Sequence, residues 1–68
     1  LTNMNFEYDK DVDAAYIYME GSVKDNDVKS TIEVKRGIIL DFDARGRLLG
    51  IEILNASKVL GKKALVSA

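Results

Sequence analysis

The sequence predicts a small α+β domain, an antiparallel β-meander of about five strands with one short C-terminal helix. Three observations predict it. Five short stretches rich in Ile, Leu, Val, Tyr and Phe recur along the chain, each of strand length. Polar links carrying Gly, Asp or Asn separate them. Only after Asn55 does a short segment, Ala56 to Leu60, read as helical.

The elements follow in order. Asn5 to Tyr8 alternates, with Phe6 and Tyr8 on one side. Asp9 to Asp13 is a polar turn, and Ala14 to Met19 is the second strand, with faces Ala14/Tyr16/Tyr18 and Ala15/Ile17/Met19. Glu20 to Lys29 is a polar loop. Ser30 to Lys35 puts Ile32 and Val34 on one side and Thr31, Glu33 and Lys35 on the other, the pattern of an edge strand with one wet face. Arg36-Gly37 is a tight turn. Ile38 to Asp43 and Arg47 to Leu54 are the two strongest strands. Asn55 offers an N-cap oxygen to the helix, and Gly61 ends it by tolerating positive φ. Lys62 to Ala68 reads as a tail that either frays or docks Ala64-Leu65-Val66 locally. Residues 1–68 make one domain. The chain does not begin with Met, so residues 1–3 read as an alternative start or a cloning remnant.

The stretch Asp41 to Leu49, DFDARGRLL, sets the central question. Asp43 and Gly46 stand at the first and fourth positions preferred by a type I turn. Gly46 in the left-handed region completes a three-residue hairpin loop with a one-residue bulge. An unbroken ladder from there pairs Asp43 with Arg47, Phe42 with Leu48, Asp41 with Leu49, Leu40 with Gly50, Ile39 with Ile51 and Ile38 with Glu52. In that register Asp41 and Asp43 share one face and Glu52 takes the other. The three acids then do not converge. Asp41 and Asp43 are separated by roughly 6.6 Å along one strand, and Arg47 is at hand to pair with Asp43. A hairpin corner with a cross-strand ion pair accounts for them.

The same register makes the hairpin apolar on both sides. Ile38, Leu40, Phe42, Leu48 and Leu54 line one face; Ile39, Leu49, Ile51 and Ile53 line the other. Each Leu or Ile left in water forgoes about 1.5–3 kcal/mol, and four together rival the whole stability of a small domain, about 5–15 kcal/mol. A helix of five residues is about 7.5 Å long and covers one face at most. The face of Ile39, Leu49, Ile51 and Ile53 is therefore the expected interface, with a second copy as first guess, a homo-oligomer and most simply a dimer. Gly50 leaves room there for another backbone.

Composition excludes several chemistries. The chain of 68 residues has no Cys and no His, which removes disulfides, thiolate chemistry and the commonest general base and metal ligand. Lys and Arg number 10 against 11 for Asp and Glu, giving no electrostatic footprint for nucleic acid or an anionic membrane. No apolar run approaches a membrane span, so a cytoplasmic location is expected. No cofactor and no catalytic residue is assigned. Asp9, Asp11, Asp13 and Glu20 imitate the acidic positions of an EF-hand loop, but Ala14 stands where the sharp turn needs Gly. Tyr16 and Tyr18 could stack bases, yet no basic stripe adjoins them. Ser57 has no His partner, Lys58 alone is weak support for a Ser–Lys pair, and Lys62-Lys63 is too short a cluster to mean anything.

The patterns FEYDKDVDAAYIYM and GIILDFDARGRLLGIEILNASKVL closely resemble the prokaryotic small-protein family known as domain of unknown function 2283. The resemblance runs from Phe6 to Leu60. Its most specific residues are Tyr8-Asp9, Asp13, Tyr16-Ile17, Gly46, Gly50-Ile51-Glu52 and Ala56-Ser57. Ala15 departs from it, standing where a larger apolar residue is common. The resemblance implies a small cytoplasmic prokaryotic protein and transfers no catalytic residue. It also implies an antitoxin or partner-binding role, because some members are encoded beside small toxin-like proteins. Three expectations follow: a non-enzymatic self-associating domain, the antitoxin-like half of a toxin–antitoxin pair, and an acidic metal-binding or hydrolytic protein using Asp41, Asp43 or the Asp9–Asp13 turn.

Overall fold

A computed structural model describes residues 4–21 and 23–66. Its strands are β1 (Asn5–Asp9), β2 (Ala14–Tyr18), β3 (Ser30–Lys35), β4 (Ile38–Phe42) and β5 (Leu48–Leu54), followed by α1 (Ala56–Val59) and α2 (Lys62–Val66). The expected α+β class, the five antiparallel strands and a helix at Ala56 are all present. A second short helix, α2, follows Gly61, and its Leu65 packs against the core. Residues 1–3, 67 and 68 lie outside the described residues. No helix among the described residues is long and apolar enough to cross a membrane.

The strand order is β1-β2-β5-β4-β3, so the meander is split. β3, β4 and β5 run as a meander, and β5 then closes on β2. The longest strand thereby takes the centre, paired on both sides. The polar link after β2 crosses three strand spacings, about 14 Å, to start β3 at the far edge. All six residues of β3 are exposed, in keeping with an edge.

Both expected tight turns form. Gly46 donates its backbone N–H to the Asp43 carbonyl at 3.0 Å and has φ +79°. Asp43 Oδ1 accepts from the backbone N–H groups of Arg45 and Arg47, and Oδ2 from Arg47 Nε, each at 2.9 Å. Gly37 has φ +82°, and a Cβ there would crowd the Leu54 carbonyl.

Beyond that hairpin the register differs from the unbroken ladder. Phe42 pairs with Leu48, but Asp41 pairs with Gly50, Leu40 with Ile51, Ile39 with Glu52 and Ile38 with Ile53. Leu49 is an extra residue in β5, a bulge, and it shifts every later partner by one. Since side chains alternate, a one-residue shift changes which of them share a face. Ile51 and Ile53 join Ile38, Leu40 and Phe42, together with Phe6, Tyr8, Ala15 and Ile17. Glu7, Tyr16, Glu52, Ile39 and Asp41 lie on the other face. The sheet has one apolar face and one largely polar face, and the two-sided greasy hairpin does not form.

The helices pack on the apolar face. Ala15, Ile53 and Ala56 are buried, and Phe6, Tyr8, Ile17, Ile51, Leu60 and Leu65 surround them. The expected Asn55 cap does not form. Asn55 is left-handed, with φ 52°, and makes no side-chain capping bond. The start of α1 is capped from the β1–β2 turn instead. Asp13 Oδ1 accepts from the Ser57 backbone N–H at 2.9 Å and Oδ2 from Ser57 Oγ at 2.7 Å. The Asp13 carbonyl accepts from the Ala56 N–H, and Tyr8 Oη donates to Asp13 Oδ1 at 2.7 Å. These donors hold the Asp13 carboxyl below its ordinary pKa, Ser57 most strongly and then Tyr8.

Replacing Asp13 with Ala removes the acceptor for all three side-chain bonds. The Ser57 amide should then lose its protection in hydrogen exchange while Ile17 and Ile51 in the sheet keep theirs. Equal loss across the sheet would contradict this local role. With a depressed folded pKa, the Asp13 contribution is present above the unfolded value and disappears as pH falls through the folded one.

Candidate functional site

Tyr16, Asp41, Gly50 and Glu52 form one cluster on the polar face. They come from β2, β4 and β5, and the Leu49 bulge is what aligns them. Asp41 stands opposite Gly50, and Tyr18 stands opposite Gly50 from the other side. Tyr16 stands opposite Glu52. The Tyr16 ring lies across Gly50, where a Cβ would collide with it, and its Oη reaches Asp41 Oδ2 at 2.7 Å. A phenol thus bridges two strands over a third, and the missing side chain at residue 50 makes room for it.

Asp41 is 3% exposed, an unusual place for a carboxylate. Its Oδ2 accepts the hydrogen bond from Tyr16 Oη, whereas its Oδ1 is buried with no partner among the other N–H and O–H groups described. Among the described residues the ion pair of this structure is Arg47 with Asp43, away from the cluster. Burial raises the Glu52 pKa above its ordinary value, and a hydrogen bond to Asp41 and the charge of Asp41 raise it further. Protonated Glu52 is the group able to donate to the Asp41 carboxylate. Burial, the bond to Asp41 and the neighbouring negative charges all push the Tyr16 phenol up, so it remains a proton donor at neutral pH. Tyr18 packs beside Tyr16 with ring centroids 4.5 Å apart and donates to Glu7 Oε1 at 3.3 Å.

The structure separates the residues expected to form an interface. Ile53 is buried in the core, Ile51 is half-buried beneath the helices, Ile39 lies on the polar face opposite Glu52, and Leu49 is the bulge. They do not form one surface, because the bulge moves Ile51 and Ile53 away from Ile39. The bulge also overturns the separation of Asp41 from Glu52, which share a face. Asp43 is occupied by the turn and Arg47, and Asp9 Oδ1 accepts from the Asp11 N–H. No group of three His, Cys, Asp or Glu at metal-holding spacing occurs among the described residues. Sequence reasoning missed the Tyr16–Asp41–Glu52 cluster. The available signal was Gly50 inside a strand, which marks a close approach; the approaching group is a tyrosine ring of the same chain.

The family model described as a protein of unknown function, DUF2283, matches residues 5–57. The chain belongs to the DUF2283 family. It is also 39% identical over 56 residues to the uncharacterized protein MJ0789 of Methanocaldococcus jannaschii. That match covers 82% of this chain and 44% of the relative, so the chain spans less than half the relative's length. No solved structure matches it. The DUF2283 match takes in the cluster on the polar face and ends at Ser57, the residue that Asp13 anchors.

Two measurements probe the cluster. Adding a methyl group with Gly50→Ala forces the Tyr16 ring off Asp41 and should cost about 1–3 kcal/mol in urea unfolding. A loss of a few tenths would mean that the ring is free to move. Glu52 has a raised folded pKa, so its contribution is full below the unfolded value and is lost as pH rises through the folded one. Glu52→Gln keeps a donor toward Asp41 without the charge. It should stabilise the protein at pH 7 relative to pH 4.5 and flatten that limb of the stability curve. An unchanged limb would show that the two carboxyls do not interact.

Proposed function

We propose that this protein is a non-enzymatic interaction module that pairs with a second copy through the uncovered part of its apolar face. The observation that carries this reading is surplus surface. A folded monomer of 7.5 kDa exposes about 4,200 Å². This chain exposes 5236 Å², about 1,000 Å² more, and a standard interface buries about 800 Å² per partner. The helices cover the β1-β2-β5 side of the apolar face. Toward the β3 edge, Ile38, Leu40 and Phe42 are half-buried and Ile32 is 52% exposed. Ile32 pairs with Leu40, so the uncovered residues form a continuous strip.

A two-fold contact between copies makes each strip the cover of the other. The strip replaces the face first expected from the sequence, and the reason for self-association is unchanged: too little helix for the apolar sheet area. We assign the module to the prokaryotic cytoplasm, in line with a chain free of cysteine.

Sedimentation of the wild type should give a dimer mass, and Ile32→Glu should give a monomer with an unchanged far-UV spectrum. Val12 is also exposed, at 68%, but sits on the β1–β2 turn, so Val12→Glu should leave the dimer intact. A wild type that sediments as a monomer at about 1 mM, a thousandfold above a micromolar Kd, would overturn the reading.

A further inference from the structure

The polar face carries a second set of unsatisfied groups, of different chemistry. A cavity of about 320 Å³ opens beside Tyr16, and Tyr18, Lys24, Thr31, Asp41 and Glu52 line it with Tyr16. A broader groove of about 770 Å³ shares Tyr16 and Glu52 and adds Glu7, Asp9 and Asp11. Between them these two hollows are lined by five carboxylates and three phenols, against Lys10 and Lys24. The buried Asp41 Oδ1 has no partner among the other N–H and O–H groups described, and a protonated Glu52 is the donor at hand for the Asp41 carboxylate. Lys24 also lines the cavity, but the ion pair given by the described residues is Arg47 with Asp43, and the Lys24 ammonium is not within ion-pair distance of Glu52. A buried carboxylate oxygen left without a donor is costly. It calls for a proton or a cation.

We propose that Asp41, Glu52 and the Tyr16–Tyr18 pair form a binding site for an alkylammonium group. Three features select that class. The buried Asp41 oxygen and Glu52 accept from N–H donors and supply the charge. Tyr16 and Tyr18 line the same cavity, and aromatic rings beside carboxylates favour an organic cation. A hard divalent metal wants six or more oxygen ligands, and the cavity brings two carboxylates. The ammonium competes with the proton on Glu52, so binding strengthens as pH rises. The charged or titratable groups around the site are Glu7, Tyr8 and Asp9 on β1, Lys10 and Asp11 on the β1–β2 turn, Tyr16 and Tyr18 on β2, Lys24 on the link, Asp41 on β4 and Glu52 on β5. Lys24 opposes the ligand, and its removal should tighten binding.

The alkylammonium could be a free amine or a lysine side chain of a peptide, and two probes separate them. Amide chemical shifts would be followed during titration with n-butylammonium chloride and with N-acetyl-glycyl-lysyl-glycinamide, against sodium chloride at matched ionic strength. Saturable shifts at Tyr16, Asp41 and Gly50 are expected at pH 7.5. Tighter binding of the peptide identifies a lysine-bearing partner, and equal binding identifies a free amine. Glu52→Gln and Asp41→Asn should each weaken binding about tenfold, the loss of one charge-assisted hydrogen bond. Glu52→Gln retains a donor toward Asp41 and keeps the test available if Asp41→Asn does not fold. Linear shifts equal to those of sodium chloride, or an unchanged midpoint in Glu52→Gln, overturn the proposal. The site lies on the face opposite the dimer strip, so its failure leaves the sedimentation result standing, and the reverse.

Discussion

The Leu49 bulge is the constraint on which the two faces depend. On the β2 side the ladder continues past it, with the Met19 N–H bonded to the Leu49 carbonyl. On the β4 side the partner changes from Leu48 to Gly50 between Phe42 and Asp41. That single insertion sends Ile51 and Ile53 to the core with Leu40 and Ile38, and brings Glu52 to the side of Asp41. Gly50 comes to lie under Tyr16, where a tyrosine on β2 can reach a carboxylate on β4. Without the insertion β5 would turn Ile51 and Ile53 toward Ile39, and the sheet would have no coherent core face.

The core that results is thin. Among the described residues three hydrophobic side chains are buried, and two of them are alanines. Small side chains there let α1 approach closely, while the longer chains of Phe6, Ile17, Leu60 and Leu65 pack around the contact. A four-residue helix has almost no stability of its own. What holds α1 in place is the Asp13 carboxylate, reaching from a turn in which Asp13 itself has φ 53°. Asp tolerates that conformation better than most side chains. The helices therefore dock at one place and cover only the sheet beneath it, which leaves the strip at β3 and β4 bare.

What was legible in the sequence was local. The Asp43–Arg47 loop could be read because Asp, Gly and Arg at fixed offsets dictate turn, bulge and ion pair within five residues. The Arg36-Gly37 turn and the exposed alternation of Ser30 to Lys35 were legible for the same reason. The Leu49 bulge was not, because Leu48-Leu49 carries no glycine or polar residue to mark an insertion, and an unbroken ladder satisfies the same pattern. The Asn55 cap failed for a different cause: the acceptor that wins comes from Asp13, 44 residues before Ser57. Strand order was beyond reach, since a link of eleven residues spans one strand spacing or three equally well. The candidate site inherited the bulge error. Every residue of the cluster was visible, but their convergence depends on register.

The two faces then divide the chemistry of the chain. An apolar strip is satisfied by any matching apolar surface, and a second copy always has one. The polar face cannot be satisfied that way. Two copies of it would bring Asp41, Glu52 and Glu7 against the same acids, and like charges in contact repel. In the proposed dimer, pairing through the apolar strip would direct both polar faces outward, on opposite sides of a double layer whose sheets lie about 10 Å apart. Each cavity beside Tyr16 would then stay clear of the contact. The same acids that make this face a poor self-contact would fix which way two copies could associate.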